Sequence, residues 1–242
     1  MTPPVAILAG GLATRLRPLT ETVPKALLDV AGEPFAFHQL RLLARNGFTD
    51  AVFLTGYRGD QIAAAVGDGS RFGLAVRHVP DGPTLLGTGG AIARALPQLG
   101  ESFAVIYGDS WLDFDYRAAV AAFARNGRPA LMTVFCNDGS FDTSNVDFRN
   151  GEMLAYSKRA RTPQMRHIDY GFSLFRAEVF RDLPIDQPTD LAAVFEDLAS
   201  RGQLAAFEVH QRFYEVGSFS GLAELEAHFA EKAYELRRTA SE

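Results

Sequence analysis

Short apolar runs alternate with segments of helical periodicity through the first half of the chain. The apolar runs have the length of buried strands and lie at residues 5–8, 51–54, 74–77 and 103–106. Between them, apolar residues recur three or four positions apart, as in Leu40, Leu43 and Ala44 after Pro34. This alternation predicts an α/β fold with a doubly wound, mainly parallel, Rossmann-like sheet, in which ligands bind at the carboxyl ends of the strands.

The pattern changes after about residue 128. Strand-like runs at 130–135, 145–148, 153–156 and 170–175 are separated by turn-forming residues such as Asn150 and Gly151, which predicts a smaller mixed or antiparallel extension of the sheet. A helix is expected from about residue 189 to 200. A final helix carries an apolar stripe made of Leu222, Leu225, Phe229, Ala233 and Leu236. No long linker interrupts the chain, so we predict a single domain with two halves, 1–128 and 129–242.

Composition and charge narrow the function. The chain has 242 residues, with 24 Lys and Arg against 29 Asp and Glu and a net charge of −5, which argues against a nucleic-acid or anionic-membrane binder. One cysteine and five histidines without metal-ligand spacing give no zinc signature. The N-terminus lacks a signal-peptide pattern and no apolar run approaches ~18 residues, so we expect a cytoplasmic protein.

A glycine pair follows the first predicted strand. Gly10 and Gly11 allow a tight turn with exposed backbone N–H groups, which suits a polyphosphate, and Arg15, Arg17 and Lys25 add positive charge to the same excursion. The alternative is an ordinary strand-to-helix turn with solvated basic residues. Two prolines, at positions 18 and 24, favour a long shaped loop because they prevent a helix from starting after the glycines.

Two common nucleotide-binding motifs are excluded, one by its spacing and one by a residue type. The run from Gly10 to Arg15 lacks the G-x-G-x-x-G pattern of dinucleotide-binding folds, although Asp29 lies at a suitable distance. The run from Gly82 to Thr88 has the glycine spacing of a P-loop but carries Thr88 where the phosphate-binding lysine must be. Neither motif therefore accounts for the glycine pair.

Several motifs in order resemble one known family. They are Gly10-Gly-Leu-Ala-Thr-Arg-Leu-Arg-Pro18, Val23-Pro-Lys25, Leu86-Gly-Thr-Gly-Gly-Ala-Ile92, Tyr107-Gly-Asp109 and Tyr214-Glu-Val-Gly-Ser218. Together they resemble the sugar-1-phosphate nucleotidylyltransferases, and within that family the branch of the heptose 1-phosphate guanylyltransferases. The resemblance extends from Ile7 to about Phe229. It implies transfer of a nucleotidyl group from a nucleoside triphosphate to a sugar 1-phosphate with release of pyrophosphate.

The resemblance also implies roles for individual residues, with a nucleotide-binding half at 1–128 and a sugar-phosphate-binding half at 129–242. The residues expected to carry catalysis are Arg15, Lys25 and Asp109. Those expected to contact the nucleotide are Gly10, Gly11, Thr14, Gly87 and Thr88. Those expected to bind the sugar phosphate are Lys158, Asp169 and Tyr170. A Mg²⁺ cofactor is expected on Asp109 and Glu215.

This residue set suits the chemistry. The attacking group is a phosphate monoester, already mostly dianionic at neutral pH because its second pKa is about 6, so no general base is needed. What the reaction requires is positioning and the cancellation of charge on two repelling anions, and in a protein of net charge −5 this falls to local cations and a metal ion.

Four positions depart from the family pattern. Glu215 stands where Asp is usual, Ser157 stands where a Glu holds sugar hydroxyls, and Asp169 stands where many relatives have Asn. Ala13 replaces the commoner glycine of the first loop, which is tolerated if its φ is negative. The departures at Ser157 and Asp169 leave the identity of the sugar open.

Other functions remain to be weighed. Asp113 and Asp115 have the D-x-D spacing with which glycosyltransferases hold a metal-bound diphosphate, although Asp115 also suits the N-cap of a helix through Val120 and Phe123. A sensor of the same fold that only binds nucleotide sugars is a third possibility, which the retained charged positions disfavour. Guanine is the favoured base, with uracil or cytosine as alternatives, and the last helix leaves open a homodimer.

Overall fold

The computed structural model describes residues 2–239, with side chains described as far as Glu235. The strands are β1 (Val5–Ala9), β2 (Asp29–Val30), β3 (Glu33–Pro34), β4 (Asp50–Thr55), β5 (Ala75–Pro80), β6 (Ser102–Tyr107), β7 (Ser110–Trp111), β8 (Ala130–Cys136), β9 (Val146–Arg149), β10 (Glu152–Tyr156), β11 (His167–Arg176), β12 (Leu204–Val209) and β13 (Tyr214–Glu215). The α-helices are α1 (Phe35–Arg45), α2 (Gly59–Val66), α3 (Gly87–Leu99), α4 (Tyr116–Asn126), α5 (Leu191–Ser200) and α6 (Phe219–Thr239).

Four parallel strands form the first half of the sheet, in the order β6-β1-β4-β5. Strands β1, β4 and β6 are buried on both faces, which explains their nearly continuous apolar sequences, whereas β5 lies at the edge of the sheet and alternates buried and exposed residues. The chain winds outward from β1 through β4 to β5 and then returns to β6 on the other side of β1. The strand order therefore reverses between β1 and β6, and their carboxyl ends open onto the position where α/β sheets bind ligands.

The second half extends the same sheet. Strand β11 runs antiparallel to β6 on one side and to β8 on the other, while β12 lies parallel to β8 and β10 antiparallel to β9. The predicted α/β class, with a mainly parallel first half and a mixed extension, is confirmed. Strand β12 follows α5 and was not anticipated from the sequence.

Two apolar clusters fill the faces of the sheet. One packs α1, α4 and α6 against a face rich in aromatic rings, where Phe172 meets Phe48, Phe114 and Tyr116 edge to face. The other packs α3 and α5 around Phe103, Phe175, Phe180 and Phe195. The site described below lies at the carboxyl edge of the strands that these clusters fix.

Helix α6 packs on its own domain. Leu225 is fully buried, and Phe229 contacts the Trp111 ring with centroids 4.8 Å apart. The ammonium group of Lys232 forms an ion pair with Asp113. The first three residues of the predicted apolar stripe, Leu222, Leu225 and Phe229, therefore face the domain. Ala233 is exposed, and the side chain of Leu236 lies outside the described residues. Within the described part of the chain, no helix combines the length and apolar character needed to cross a bilayer.

Candidate active site

The loop after β1 is long and contains no α-helix. It runs through three short 3₁₀ turns, Thr14–Leu16, Leu19–Glu21 and Lys25–Leu27, before β2 begins. The hydroxyl of Thr20 donates a hydrogen bond to the carbonyl oxygen of Ala13 and ties the turns together. The expectation that Pro18 and Pro24 keep this segment as a shaped loop is confirmed.

Ala13 adopts a left-handed conformation, with φ of 49° and ψ of 40°. The condition stated from the sequence, that Ala13 is tolerated if its φ is negative, is therefore not met. The positive φ follows from the turn that reverses the chain between Gly11 and the first 3₁₀ turn, and an alanine there brings its Cβ close to the backbone.

We expect Ala13→Gly to raise the free energy of unfolding by about 0.5–1 kcal/mol, because glycine relieves the left-handed strain at a smaller entropic cost. Urea titration should show a higher midpoint with an unchanged slope. Ala121→Gly in the interior of α4 is the control and should lower stability by roughly 0.5–1 kcal/mol. Destabilisation of both variants alike would contradict the strain argument.

Lys25 and Asp109 form an ion pair at the centre of the site. The Nζ atom of Lys25 donates to Oδ2 of Asp109 at 2.7 Å, across 84 residues of sequence. Asp109 follows β6 and Lys25 lies in the third 3₁₀ turn, so the reversal of strand order brings the two together. A cation and a carboxylate thus stand side by side where β1 and β6 end.

The turn that carries Asp109 is held from three directions. The buried Gln39 of α1, only 1% exposed, donates its amide Nε2 to the carbonyl oxygens of Tyr107 at 2.9 Å and Ser110 at 3.0 Å. The backbone N–H of Val216 donates to the carbonyl oxygen of Asp109 itself, and that of Gly108 to Leu8. Sequence reasoning missed Gln39, whose signal was a polar residue on the buried face of a helix.

Glu215 lies beside Asp109. Strand β13 pairs with β7 so that Glu215 is opposite Ser110, the residue after Asp109. Partial loss of solvent in the crevice, followed by the charge of Asp109, raises the pKa of Glu215 to about 7. Two neighbouring carboxylates fit a divalent cation, and Mg²⁺ prefers one or two carboxylates plus substrate oxygens.

Among the described residues, no group of three or more acidic, histidine or cysteine side chains forms a complete metal site. A Mg²⁺ ion at Asp109 and Glu215 would therefore need substrate oxygens or water as its remaining ligands. The identification of these two residues as metal ligands stays a prediction.

Arg15 and Thr14 do not line the cavity that Gly10 and Gly11 line. Arg15 lies next to Glu215, and its Nη2 atom is 3.3 Å from the position that a Cβ on Gly217 would occupy. It therefore lies on the side of Glu215 and Gly217 and does not line the cavity beside Gly10. Thr14 is exposed and is not among the residues that line that cavity.

A cavity of about 250 Å³ opens between the first loop, β6 and the start of α3. Most of the predicted nucleotide residues line it, together with both members of the ion pair; these residues are Gly10, Gly11, Lys25, Gly87, Thr88 and Asp109. Leu85, Tyr107 and Asp81 also line it and were not anticipated.

Asp81 is a buried carboxylate in the wall of this cavity. It is 5% exposed, and its Oδ2 atom accepts the backbone N–H of Leu86 at 3.0 Å. Burial raises its pKa. Gly10 and Gly56 make room for it, since a Cβ on Gly56 would lie 3.1 Å from Oδ2 and 2.7 Å from the Gly10 carbonyl oxygen. The close approach of these two backbones explains why both positions are glycine.

The second glycine motif packs α3 against the start of α5. A Cβ on Gly87 would lie 2.7 Å from the carbonyl oxygen of Thr189, and one on Gly90 would lie 2.7 Å from that of Gln187. Thr88 was considered as an N-cap of α3, but its hydroxyl instead donates to Asp190 and accepts the N–H of Leu191, which begins α5. The reason is that α3 already begins at Gly87, so Thr88 faces the neighbouring helix.

Lys158 and Asp169 lie on the second half of the sheet and interact electrostatically. Burial raises the pKa of Asp169 to about 6, although the N–H of Gly171, which donates to Oδ1 at 3.0 Å, and the charge of Lys158 oppose the shift. The charge of Asp169 also acts on Tyr107, which lines the cavity, so Asp169 lies close to the cavity.

Tyr170 lies apart from Lys158 and Asp169. It is 2% exposed and packs among Phe114, Phe135 and Phe213 in the aromatic core. Successive side chains of a strand point to opposite faces, so Tyr170 of β11 points away from the side that Asp169 occupies. The expectation that Tyr170 binds the sugar phosphate is therefore not supported by its position.

Comparison with known proteins decides the family. The family model described as nucleotidyl transferase matches residues 5–144, which is more than half of the chain. The chain belongs to this nucleotidyl transferase family. The matched range includes the glycine loop, Lys25, Asp81 and Asp109.

The chain is similar in sequence to several sugar-1-phosphate nucleotidylyltransferases, which confirms the resemblance to that family seen in its motifs. The N-acetylmuramate alpha-1-phosphate uridylyltransferase of Neisseria meningitidis serogroup B is 46% identical over 114 residues, 47% of this chain and 49% of that protein. The mannose-1-phosphate guanylyltransferase of Mycobacterium tuberculosis is 32% identical over 184 residues, 74% of this chain and 50% of that protein. The chain spans about half the length of these relatives.

Solved structures support the fold of this nucleotidyl transferase domain. HddC from Yersinia pseudotuberculosis, solved with GMP-PN, aligns with a TM-score of 0.79 at 22% identity, covering 94% of this chain and all of that one. UDP-glucose pyrophosphorylase from Acinetobacter baumanii aligns with a TM-score of 0.75 at 17% identity, covering 98% of this chain and all of that one.

The D-x-D pair of this nucleotidyl transferase is engaged in structural contacts. Asp115 is the N-cap of α4, and its side chain accepts the N–H groups of Arg117 and Ala118. Asp113 pairs with Lys232 of α6. The interpretation of Asp115 as a helix cap is confirmed, and neither carboxylate lines the cavity.

Proposed function

We propose that this chain transfers a nucleotidyl group from a nucleoside triphosphate, in the first place GTP, to a hexose or heptose 1-phosphate with Mg²⁺ as cofactor. The observation that carries the proposal is the Lys25–Asp109 pair beside a cavity lined by the glycine loop. A sugar phosphate oxygen bonds to the α-phosphorus, the bond from that phosphorus to the bridging oxygen of the β-phosphate breaks, and pyrophosphate leaves.

The chain's own residues supply positioning and charge for this reaction. In this proposal Lys25, at the edge of the cavity, contacts both the α-phosphate and the incoming phosphate monoester, and Arg15 adds a second cation near Glu215. The backbone of Gly10 and Gly11 faces the cavity without a side chain to obstruct the nucleotide. When bound by Asp109 and Glu215, Mg²⁺ supplies further neutralisation of phosphate charge.

Asp81 supports guanine as the base. A carboxylate only accepts hydrogen bonds, and guanine presents two adjacent donors, N1–H and the N2 amino group, on one edge. Oδ1 of Asp81 makes no hydrogen bond with any described residue, whereas Oδ2 is held by Leu86. Uracil offers a single N–H donor on the corresponding edge, so it gains less from this acceptor.

We expect Asp81→Asn to lower kcat/KM for GTP by about 10–100-fold, because a hydrogen bond to a charged acceptor is lost. Asparagine keeps an oxygen that accepts from Leu86, so the loop should keep its shape. The value for UTP should change much less, and the ratio of the two values is the measurement. An unchanged ratio would remove Asp81 from base recognition.

The proposed activity is tested with four nucleoside triphosphates against several sugar 1-phosphates, with pyrophosphate release as the readout. We expect release that depends on both substrates and on Mg²⁺. Incubation with nucleotide sugars and acceptor sugars separates the D-x-D glycosyltransferase alternative, which predicts release of a nucleoside diphosphate instead. Absence of pyrophosphate with every pair, alongside nucleotide-sugar consumption, would overturn the proposal.

A further inference from the structure

The glycine loop (residues 10–27) carries the cations of the proposed site, yet little of it is buried. Of residues 11–24, three are buried, namely Leu16, Thr20 and Pro24. The loop contains no α-helix, and its own backbone hydrogen bonds close single 3₁₀ turns. Ordering such a segment around a ligand costs conformational entropy, so contacts that order it beforehand favour binding.

Two side chains between β4 and α2 hold this loop from outside. The hydroxyl of Tyr57 donates to the carbonyl oxygen of Glu21 at 3.0 Å, and Nη2 of Arg58 donates to the same oxygen at 2.6 Å. The Nε atom of Arg58 also donates to the Tyr57 hydroxyl at 2.8 Å. The phenol thus accepts from the guanidinium and donates to the carbonyl group, so three hydrogen bonds join three residues. We call these two side chains the Tyr57–Arg58 latch.

The latch is connected to both ends of the loop. The backbone N–H of Tyr57 donates to the carbonyl oxygen of Gly10 at 3.2 Å, and Gly10 lines the cavity. Glu21 ends the second 3₁₀ turn, and the third turn, Lys25–Leu27, follows it closely in the sequence. Helix α2 begins directly after the latch and contacts this third turn. One short segment therefore holds both the residue at the cavity wall and the turn that carries Lys25.

The backbone of Arg58 and its side chain favour different residue types. Arg58 is the N-cap of α2 and has a left-handed conformation, with φ of 54° and ψ of 35°. Glycine adopts this conformation without strain and is accepted at a helix N-cap, so the local backbone favours glycine. The hydrogen bonds to Glu21 and Tyr57, in contrast, require a guanidinium group. A glycine substitution therefore separates the stability of the fold from the ordering of the loop.

We propose that the Tyr57–Arg58 latch orders the glycine loop before the nucleotide binds, so that both are positioning residues for the nucleoside triphosphate. This inference rests on the proposed nucleotidyl transfer and adds two residues that act through the loop. Without the latch, the loop occupies its binding conformation for part of the time, and the apparent dissociation constant of the nucleotide rises by the inverse of that fraction. Once the nucleotide is bound the loop is ordered in either case, so the chemical step keeps its rate.

Arg58→Gly removes the guanidinium group and relieves the left-handed strain. We expect KM for the preferred nucleoside triphosphate to rise about 5–20-fold, because two hydrogen bonds that hold the loop are lost. Calorimetry with that nucleotide and Mg²⁺, without sugar phosphate, should show the same rise in the dissociation constant. The kcat at saturating nucleotide and the KM for the sugar 1-phosphate should change less than about twofold. The urea midpoint should stay the same or rise, whereas a merely structural role predicts a lower midpoint.

Tyr57→Phe separates the latch from simple electrostatic attraction, since it removes the hydroxyl without changing the charge. We expect it to raise KM for the nucleotide about 3–10-fold. The double variant with Arg58→Gly should show little further increase, because the two side chains share one network. Arg58→Lys keeps the charge and one donor and should restore part of the affinity. Effects that multiply in full in the double variant would contradict a shared latch.

Arg71→Ala is the matched control at the other end of α2. The guanidinium of Arg71 also donates to a backbone carbonyl oxygen, that of Ala65, and it lies over the Phe37 ring at 4.1 Å. This substitution removes the same kind of contact and the same charge but leaves the glycine loop in place. The KM for the nucleotide should remain that of the wild-type protein, even where the urea midpoint falls.

Amide hydrogen exchange gives a readout that does not depend on activity. In ligand-free Arg58→Gly, peptides that cover residues 11–27 should exchange faster than in the wild-type protein, while those of α1 and β6 should be unchanged. Addition of the nucleotide and Mg²⁺ should remove the difference. Faster exchange throughout the domain would show a general loss of stability instead of a local change in the loop.

The outcomes separate the two proposals. Pyrophosphate release with an unchanged nucleotide KM in both Arg58→Gly and Tyr57→Phe overturns this inference and leaves nucleotidyl transfer intact. A fall in kcat at constant KM overturns it as well, because the residues would then act on the chemical step. If the wild-type protein neither binds any of the four nucleoside triphosphates nor releases pyrophosphate, the proposed function falls, and with it the role of the latch in nucleotide binding.

Discussion

Lys25→Ala is expected to lower kcat by about 10²–10³, which corresponds to ~3–4 kcal/mol of lost charge stabilisation in the transition state. The ammonium group that pairs with Asp109 at 2.7 Å is the cation nearest to the proposed point of phosphoryl transfer. Alanine removes this charge and leaves the carboxylates of Asp109 and Glu215 less compensated. Steady-state pyrophosphate release under saturating substrates measures the effect.

The fold of this variant should remain intact. Both partners of the ion pair are partly exposed, and such pairs contribute about 0–1 kcal/mol to stability. Arg17→Ala is the matched control, since it removes a positive charge from an exposed position of the same loop. Turnover close to wild type in Lys25→Ala, with the control equally active, would exclude Lys25 from catalysis.

Asp109→Asn is expected to raise the Mg²⁺ concentration needed for half-maximal activity by at least about 10–100-fold. Asparagine keeps the size of the side chain and one oxygen but loses the charge that holds a hard cation. The Gln39 and Val216 contacts to the surrounding turn involve backbone carbonyl oxygens, so the substitution leaves them in place. Titration of activity with Mg²⁺ and direct binding of Mn²⁺ measure the same loss.

Asp115→Asn is the control for this substitution. It makes the same chemical change in the N-cap of α4, and asparagine is an equally good cap. Its metal titration should match that of the wild-type protein. An unchanged titration in Asp109→Asn would show that the ion is held elsewhere or is not required.

The sequence by itself determined the long strands of the first half, most of the helices and the order of the motifs along them. Burial on both faces requires continuous apolar runs, so β1, β4 and β6 could be recognised from the order of apolar residues in the sequence. The resemblance to the sugar-1-phosphate nucleotidylyltransferases placed Lys25 and Asp109 in one site, and the carboxyl ends of β1 and β6, which meet at one edge of the sheet, bring them together.

Single residues that act across the fold could not be recognised in this way. Gln39 and Asp81 belong to no local motif. Gln39 bonds to backbone carbonyl oxygens 68 and 71 residues away, and Asp81 lies against Gly10 and Gly56. Local periodicity reports only whether a side chain is buried. Its partners depend on how strands and helices pack.

The tertiary structure also decided between local alternatives. Tyr170 and Asp169 are adjacent in sequence but occupy opposite faces of β11, so only one of them can serve the site. Thr88 bonds to the start of α5 because α3 packs against that segment, and Ala13 takes a positive φ because the loop must reverse there. The physical reason is common to all three: a short sequence fixes which conformations are possible, whereas long-range packing selects the one that is occupied.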